Sequence, residues 1–175
     1  MACNLRSRWR WAARIYEAIL SKPLQMNTEQ HALLLSCDVK GAWEHPPDAH
    51  WQGSITELEA LHPSLEASLG TRLELDKQVQ DASFFADLGV LVRQPSSSGT
   101  KVFAYAICFR FSWFAKLYTI HGSAIEQYSI VEAQRLLAEH GYQYVPEAAL
   151  QGLYDGLNEP LEPGLTWWTR YFDYL

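Results

Sequence analysis

Apolar residues recur at three- and four-residue intervals between residues 54 and 69, which is the spacing of an amphipathic helix. The apolar positions are Ile55, Leu58, Leu61, Leu65 and Leu69. Ser54 and Glu57 have the spacing of a capping box, so we predict that the helix begins at this serine. Pro63 has no backbone N–H to donate inside a helix, and we therefore expect either one bent helix or two short ones.

Two further helices are predicted near residues 130–140 and 146–156. The first has another capping-box spacing at Ser129 and ends before Gly141, because glycine is common just beyond a helix. The second begins with a proline, a residue type favoured in the first helical turn. Its predicted apolar positions are Leu150, Leu153, Tyr154 and Leu157.

Residues 84–122 have the pattern of a sheet. FFADLGVLVRQ and KVFAYAICFRF flank PSSSGT, a loop of the type that joins antiparallel strands. In the second run large side chains alternate with small ones, which predicts a central strand covered on both faces. Residues 113–121 continue either as a third strand or as the same strand beyond a bulge at Ser112. We predict an α+β fold, with an antiparallel sheet of about three to five strands packed against the helices.

The most apolar stretch, residues 102–120, is not a membrane span. Arg110 lies near its middle and Lys116 lies within it, and each charge costs roughly 2.5–3.5 kcal/mol at the centre of a spanning helix. Arg14 and Glu17 also interrupt the only candidate for a secretory signal. The chain has three cysteines and no C-x-x-C spacing, a usage that fits a reducing compartment. We therefore expect a soluble cytoplasmic protein.

The charge of the chain is unevenly distributed. Its 175 residues carry a formal net charge of −6, are 48% hydrophobic and suit one domain. Residues 1–25 hold five basic residues and one acidic residue, a net of +4, which leaves −10 for residues 26–175. We interpret 26–175 as a single acidic globular domain with a polar, loop-rich start. Three interpretations of residues 1–25 are open. The first is a basic amphipathic helix that docks on a membrane surface, an anion or a partner, and the second is a tail with no role in the fold. The third is an extension upstream of a true start at Met26.

The loop EHPPDAH holds the best candidate metal ligands. Carboxylate and imidazole groups of this kind bind zinc and related ions when they are held in a fixed shell. The candidates are Glu44, His45, Asp48 and His50. Their spacing matches no established ligand pattern, which favours a solvated polar loop. The sequence also contains no G-x-S-x-G, H-E-x-x-H or G-x-G-x-x-G motif, and we expect no cofactor.

A second group of candidate functional residues lies in and beside the predicted sheet. His121 follows a strand and, with Glu126, is a candidate for a general acid or base. Cys108 lies in mid-strand on the small-residue face, where an inert buried thiol is more common than a nucleophile. Arg110 interrupts the same strand and needs a carboxylate partner, either Asp87 or Glu126. A structural ion pair is favoured over an anion-binding pocket.

The C-terminal WWTRYFDYL combines aromatic residues with an arginine. Such residues form the hot spots of protein interfaces, and they also dock terminal segments onto their own domain. Self-docking is favoured. The candidate binding residues are Arg110, Trp167, Trp168, Arg170 and Tyr171.

Charge and composition together favour a binding protein. An acidic body repels phosphate backbones, so we expect residues 26–175 not to bind nucleic acid, whereas a basic protein partner would be attracted. Our preferred hypothesis is a non-catalytic protein-binding module, such as an immunity-type inhibitor of a basic effector. The alternative is a small metal-assisted or histidine-based hydrolase that uses the 44–50 loop or His121.

Overall fold

The computed structural model describes residues 26–43, 47, 51–77, 85–95 and 101–173. The predictions for the basic segment 1–25 therefore lie outside the described residues. The same holds for the predicted metal ligands Glu44, His45, Asp48 and His50. Within the described ranges, no helix combines the length and the apolar character that crossing a bilayer requires.

Five α-helices and a five-stranded sheet occupy the described residues, which confirms the α+β fold. The helices are α1 (Thr28–Cys37), α2 (Trp51–Leu69), α3 (Val131–Glu139), α4 (Glu147–Leu150) and α5 (Trp167–Phe172). The strands are β1 (Glu74–Asp76), β2 (Phe85–Pro95), β3 (Lys101–Ser112), β4 (Leu117–His121) and β5 (Gln143–Tyr144). They lie side by side in chain order, antiparallel except for β5, which runs parallel to β4.

The region around Ser112 forms a hairpin rather than one bent strand. β3 ends at this residue, and β4 returns antiparallel to it, with Cys108 opposite His121 and Arg110 opposite Thr119. A register shift at Val90 and Leu91 interrupts the ladder between β2 and β3. The sheet was predicted to have three to five strands, and it has five.

One detail predicted for the helix at 54–69 is wrong, and one of the two alternatives at Pro63 is excluded. The helix α2 begins at Trp51, three residues before Ser54, so this serine is not its cap. The helix continues through Pro63 as one element, which excludes two short helices. Pro63 and Glu59, whose carbonyl would have bonded the missing N–H, are both exposed, so water can take the place of that hydrogen bond.

The other two predicted helices also differ at their ends. The cap of α3 is Ile130, without a side-chain hydrogen bond, so the capping box predicted at Ser129 is wrong. Gly141 follows this helix with a φ of 81°, as the prediction requires. The helix predicted at 146–156 ends at Leu150 because the backbone that follows bonds elsewhere: Tyr154 donates its N–H to the carbonyl of Leu165 at 2.9 Å.

The sheet has a packed layer on each face. On the first face, α2 and α3 bury a core that includes Leu58, Leu65, Leu88, Ile107, Phe109, Phe111 and Leu137. On the second face, α1, α4 and α5 form another core with Leu34, Leu117, Leu150, Trp167, Tyr171 and Phe172. The helix α1 was not predicted, although Asn27 and Gln30 cap it reciprocally. The second face of the sheet also carries the polar groups of the candidate site.

Candidate functional site

Three adjacent strands bring an aspartate, a cysteine and a histidine together on the second face of the sheet. We call Asp87 of β2, Cys108 of β3 and His121 of β4 the Cys–His–Asp cluster. One potential ligand atom from each of the three side chains lies within 4.8 Å of the others. The register explains this convergence, because Cys108 stands opposite Gly89 of β2 and directly opposite His121.

Asp87 is held by Arg110, which confirms one of the two partners considered for this arginine. Arg110 donates from Nε to one carboxylate oxygen at 2.8 Å and from Nη2 to the other at 2.7 Å. Its Nη1 also donates to the carbonyl of Phe172 at 2.9 Å. Glu126, the other candidate, lies exposed on a 3₁₀ turn. The bidentate geometry fixes the orientation of the Asp87 carboxylate.

Aromatic rings surround the guanidinium of Arg110. Its central carbon lies 4.1 Å from the ring centre of Phe85 and 5.4 Å from that of Trp168. Both distances are within the range of cation–π attraction. Trp168, a predicted binding residue, therefore packs on the domain's own ion pair, and its ring also meets His121 edge to face at 6.0 Å.

His121 is half-buried, and its Nε2 atom is fully buried without a hydrogen-bond partner. Burial lowers the pKa of this imidazole, and the nearby charge of Arg110 lowers it further. The ring is therefore neutral at pH 7 and can accept a proton or bind a metal ion. Of the predicted acid–base candidates, His121 is the one whose buried ring nitrogen has no hydrogen-bond partner.

Cys108 is fully buried. Burial raises the pKa of its thiol, and the negative charge of Asp87 raises it further. The thiol also hydrogen-bonds the Asp87 carboxylate. A protonated, enclosed thiol is a poor nucleophile, which agrees with the favoured interpretation of this residue as inert toward substrates.

A tyrosine contacts the Cys–His–Asp cluster and also lines a cleft. The ring of Tyr105 meets that of His121 edge to face at 6.0 Å. It fits there because Gly89 has no Cβ: one added at this glycine would lie 2.7 Å from the tyrosine ring. Tyr105 also lines a cleft of about 380 Å³ beside β1. The other lining residues are Glu74, Leu75, Asp76, Lys77 and Leu91.

A second surface feature lies in the segment 153–162, which we call the acidic leucine loop. Leu153, Leu157 and Leu161 are 70%, 53% and 64% exposed. The first two were predicted to be apolar positions of a helix at 146–156. The acidic side chains between and after them are also exposed: Asp155, Glu159 and Glu162. Large exposed apolar side chains that are interleaved with charges are typical of interaction sites.

A buried carboxylate anchors this loop. Asp38 accepts hydrogen bonds from the backbone N–H of Leu157 at 2.7 Å and from the side-chain amide of Asn158 at 3.1 Å. It also accepts one from the hydroxyl of Tyr154. Arg170 completes the arrangement as the ion-pair partner of Asp38 at 2.8 Å. The backbone of the loop is thus fixed from beneath while its leucines point outward.

The indole of Trp43 reinforces the loop from the side. Its Nε1 donates to the carbonyl of Glu159 at 2.9 Å, and the backbone N–H of Gly41 donates to the side-chain oxygen of Asn158. The same indole stacks near Arg170, 5.3 Å from its guanidinium carbon. These contacts connect the acidic leucine loop to the turn that follows α1.

The predicted C-terminal binding residues are mostly inside the domain. Trp167, Arg170 and Tyr171 are buried, and Trp168 is half-buried. The described part of the segment, residues 167–173, therefore docks on its own domain. The three buried side chains cannot act as exposed anchors in this conformation. Asp38 was missed because nothing near it in the sequence indicates a partner at position 170. Comparison with protein-family models, with characterised proteins and with solved structures finds no match.

Proposed function

We propose that this protein is a non-catalytic binding module whose acidic leucine loop captures a basic protein. The observation that carries the proposal is the alternation of three exposed leucines with three exposed acidic residues in the segment 153–162. Leucines supply apolar contact area, and carboxylates select lysine and arginine on the partner. An immunity-type inhibitor that neutralises a basic effector in the cytoplasm is the kind of protein proposed.

The charge of the chain supports a basic partner. Residues 26–175 carry a net charge of −10, and a surplus of this size attracts cationic proteins over a distance of about one Debye length, roughly 8 Å at physiological salt. The same field repels nucleic acids. Binding through the loop should therefore weaken as ionic strength rises.

The rigidity of the loop supports binding as well. Asp38 and Asn158 hold its backbone from beneath, and the Trp43 indole holds the carbonyl of Glu159. A loop that is ordered before binding loses little conformational entropy when the partner arrives. The buried ion pair with Arg170 thus has a role in presenting the surface.

The experiment uses two synthetic peptides of equal length, one alternating leucine with lysine and one alternating leucine with serine. We expect the full chain to bind the lysine peptide and not the serine peptide, in a fluorescence anisotropy titration repeated at low and high salt. The triple variant Asp155→Asn, Glu159→Gln and Glu162→Gln should lose at least tenfold in affinity. The triple variant Leu153→Ser, Leu157→Ser and Leu161→Ser should lose a similar amount.

The matched control neutralises three exposed acidic residues elsewhere. Glu29→Gln, Glu74→Gln and Glu126→Gln change the net charge by the same amount and should reduce affinity by less than threefold. The matched apolar control is Val131→Ser, at a residue that is 74% exposed. An equal loss in the two acidic triple variants, or no binding of the lysine peptide, would overturn the proposal.

A further inference from the structure

We propose that Asp87, Cys108 and His121 form a binding site for a zinc ion. The three side chains come from three neighbouring strands, and one ligand atom from each lies within 4.8 Å of the others. This site is separate from the acidic leucine loop and does not depend on the binding function proposed above. It also differs from the 44–50 loop in which the sequence suggested metal ligands.

The donor set suits zinc. A thiolate, an imidazole and a carboxylate are the three ligand types that zinc takes in proteins, usually in a tetrahedral shell. Zn–S and Zn–N bonds of about 2.3 and 2.0 Å place neighbouring donors roughly 3.3–3.8 Å apart. Small side-chain rotations, with atom shifts of about 1 Å, would therefore close the cluster around an ion. Three protein ligands leave a fourth position, as in zinc sites that hold a water molecule.

Two buried polar atoms on this face of the sheet lack a hydrogen-bond partner. The Nε2 atom of His121 and the hydroxyl of Thr119 are both buried without a hydrogen-bond partner. The two residues are separated by one position on β4, so they share a face of the sheet. A buried polar atom without a partner destabilises the folded protein. A metal ion bound to the imidazole removes that destabilisation at His121.

The charges of the site are compatible with a divalent cation. When the ion binds, the S–H bond of Cys108 breaks, the sulfur keeps the electron pair, and the proton leaves to solvent. The thiolate and the Asp87 carboxylate then offset two of the three positive charges that zinc and Arg110 carry together. Arg110 opposes the ion electrostatically, but it also fixes the Asp87 carboxylate, whose oxygens each retain a second lone pair for a metal.

The backbone around the cluster is rigid. Cys108 is paired in the ladder with both β2 and β4, and Gly122 next to His121 lies so close to β3 that a Cβ there would be 2.4 Å from the carbonyl oxygen of Ala106. Ligands on tightly paired strands keep their relative positions better than ligands on a loop. This arrangement favours the cluster as a metal site.

Cobalt substitution tests the proposal with the full chain, freed of metal by a chelator. We expect Co²⁺ to bind with a stoichiometry of one and to produce a sulfur-to-cobalt charge-transfer band together with the intense visible bands of tetrahedral cobalt. Zn²⁺ should displace it. Cys108→Ala should abolish the charge-transfer band, and His121→Gln should weaken affinity at least tenfold. Cys37→Ala is the matched control and should leave the spectrum unchanged.

Thermal unfolding with and without zinc provides a second measurement. Zinc should raise the Tm of the wild-type chain and should not raise that of His121→Gln, whose folding without metal is checked by circular dichroism. No charge-transfer band in the wild type, or one that persists in Cys108→Ala, would overturn the proposal. So would loss of cobalt binding in the double variant His45→Ala and His50→Ala, since that result places the metal in the 44–50 loop.

Discussion

The guanidinium of Arg170 and the carboxylate of Asp38 lie 2.8 Å apart, and neither side chain has any exposed surface. Removing two charges from water is costly, and the contacts around the pair offset that cost. Arg170 donates to the carbonyl of Ala42 at 2.9 Å, and its guanidinium lies 4.1 Å from the ring centre of Phe114. The pair joins the C-terminal helix α5 to the end of α1.

Replacing the arginine tests the importance of the pair for stability. Arg170→Met would leave Asp38 charged and buried without its ionic partner, and we expect a loss of about 3–5 kcal/mol in the free energy of unfolding. Urea denaturation followed by tryptophan fluorescence measures it. The control is Arg93→Met, an exposed arginine, for which we expect a change within about 0.5 kcal/mol. A loss below 1 kcal/mol in Arg170→Met would contradict the prediction.

A change at the carboxylate should affect the acidic leucine loop directly. Asp38→Asn replaces a charged acceptor with a neutral one, so the hydrogen bond donated by the backbone of Leu157 weakens. We expect faster amide hydrogen exchange at residues 157 and 158, measured by NMR. Exchange within β3 should remain slow. Unchanged exchange at both loop positions would show that the loop does not depend on this carboxylate.

Gly122 is a position where any side chain should be destabilising. Its φ is 147°, and a Cβ would lie 2.4 Å from the carbonyl oxygen of Ala106. Gly122→Ala should therefore lower the free energy of unfolding by about 1–3 kcal/mol. Gly152→Ala is the control, because a Cβ there meets its nearest neighbours at an ordinary 3.7 Å. The comparison uses urea denaturation, and equal stability of the two variants would refute the expectation.

The elements that were predicted correctly are those whose signals are local. The alternation along β3 and the loop before it indicated the sheet, and the helical spacing in α2 and α3 indicated those helices. The helix α1 escaped notice because Leu33, Leu34 and Leu35 are consecutive and form no stripe. The helix predicted at 146–156 is short because residues 152–154 bond the backbone at 165–167, a contact between distant parts of the chain.

The candidate site was predictable only in part, for the same reason. Arg110 within an apolar strand requires a carboxylate, and Asp87 was one of two choices. Cys108 and His121 were both named, but their convergence with Asp87 depends on the register of β3 with both β2 and β4. No turn signal indicated the second of these pairings. Asp38 has its ionic partner 132 positions away. Such a pair leaves no trace in local spacing.

The two described cysteines should differ in reactivity. Burial raises the pKa of both thiols, but Cys37 is half-buried and Cys108 is fully buried. In a Cys3→Ser background, we expect Ellman's reagent to modify Cys37 in the folded protein and Cys108 only after denaturant is added. The further change Cys37→Ser should remove the faster reaction. Modification of Cys108 at the rate of Cys37 would contradict its enclosure.

Alkaline pH should destabilise the fold through Tyr118. Burial raises the pKa of this phenol to about 12, and the neighbouring Tyr144 contributes to the shift. An unfolded tyrosine ionises near pH 10, so the folded state binds more protons between pH 10 and 12 and loses stability over that window. Tyr118→Phe should reduce the loss. Urea denaturation at pH 9 and pH 11 gives the free energy of unfolding of the wild type and of Tyr118→Phe. If this free energy depends on pH identically in the two proteins, Tyr118 does not cause the alkaline loss of stability.

The hydroxyl of Tyr171 donates to the carbonyl of Leu34, a residue 137 positions earlier in the chain. Polypeptides are synthesised at about 5–20 residues per second, so Leu34 leaves the ribosome roughly 7 to 27 s before Tyr171 does. The hairpins of the sheet pair residues much closer in sequence and can form within that interval. During this interval, the side of α1 that packs against α5 in the native fold has no α5 to contact. Chaperones bind nascent chains in this period.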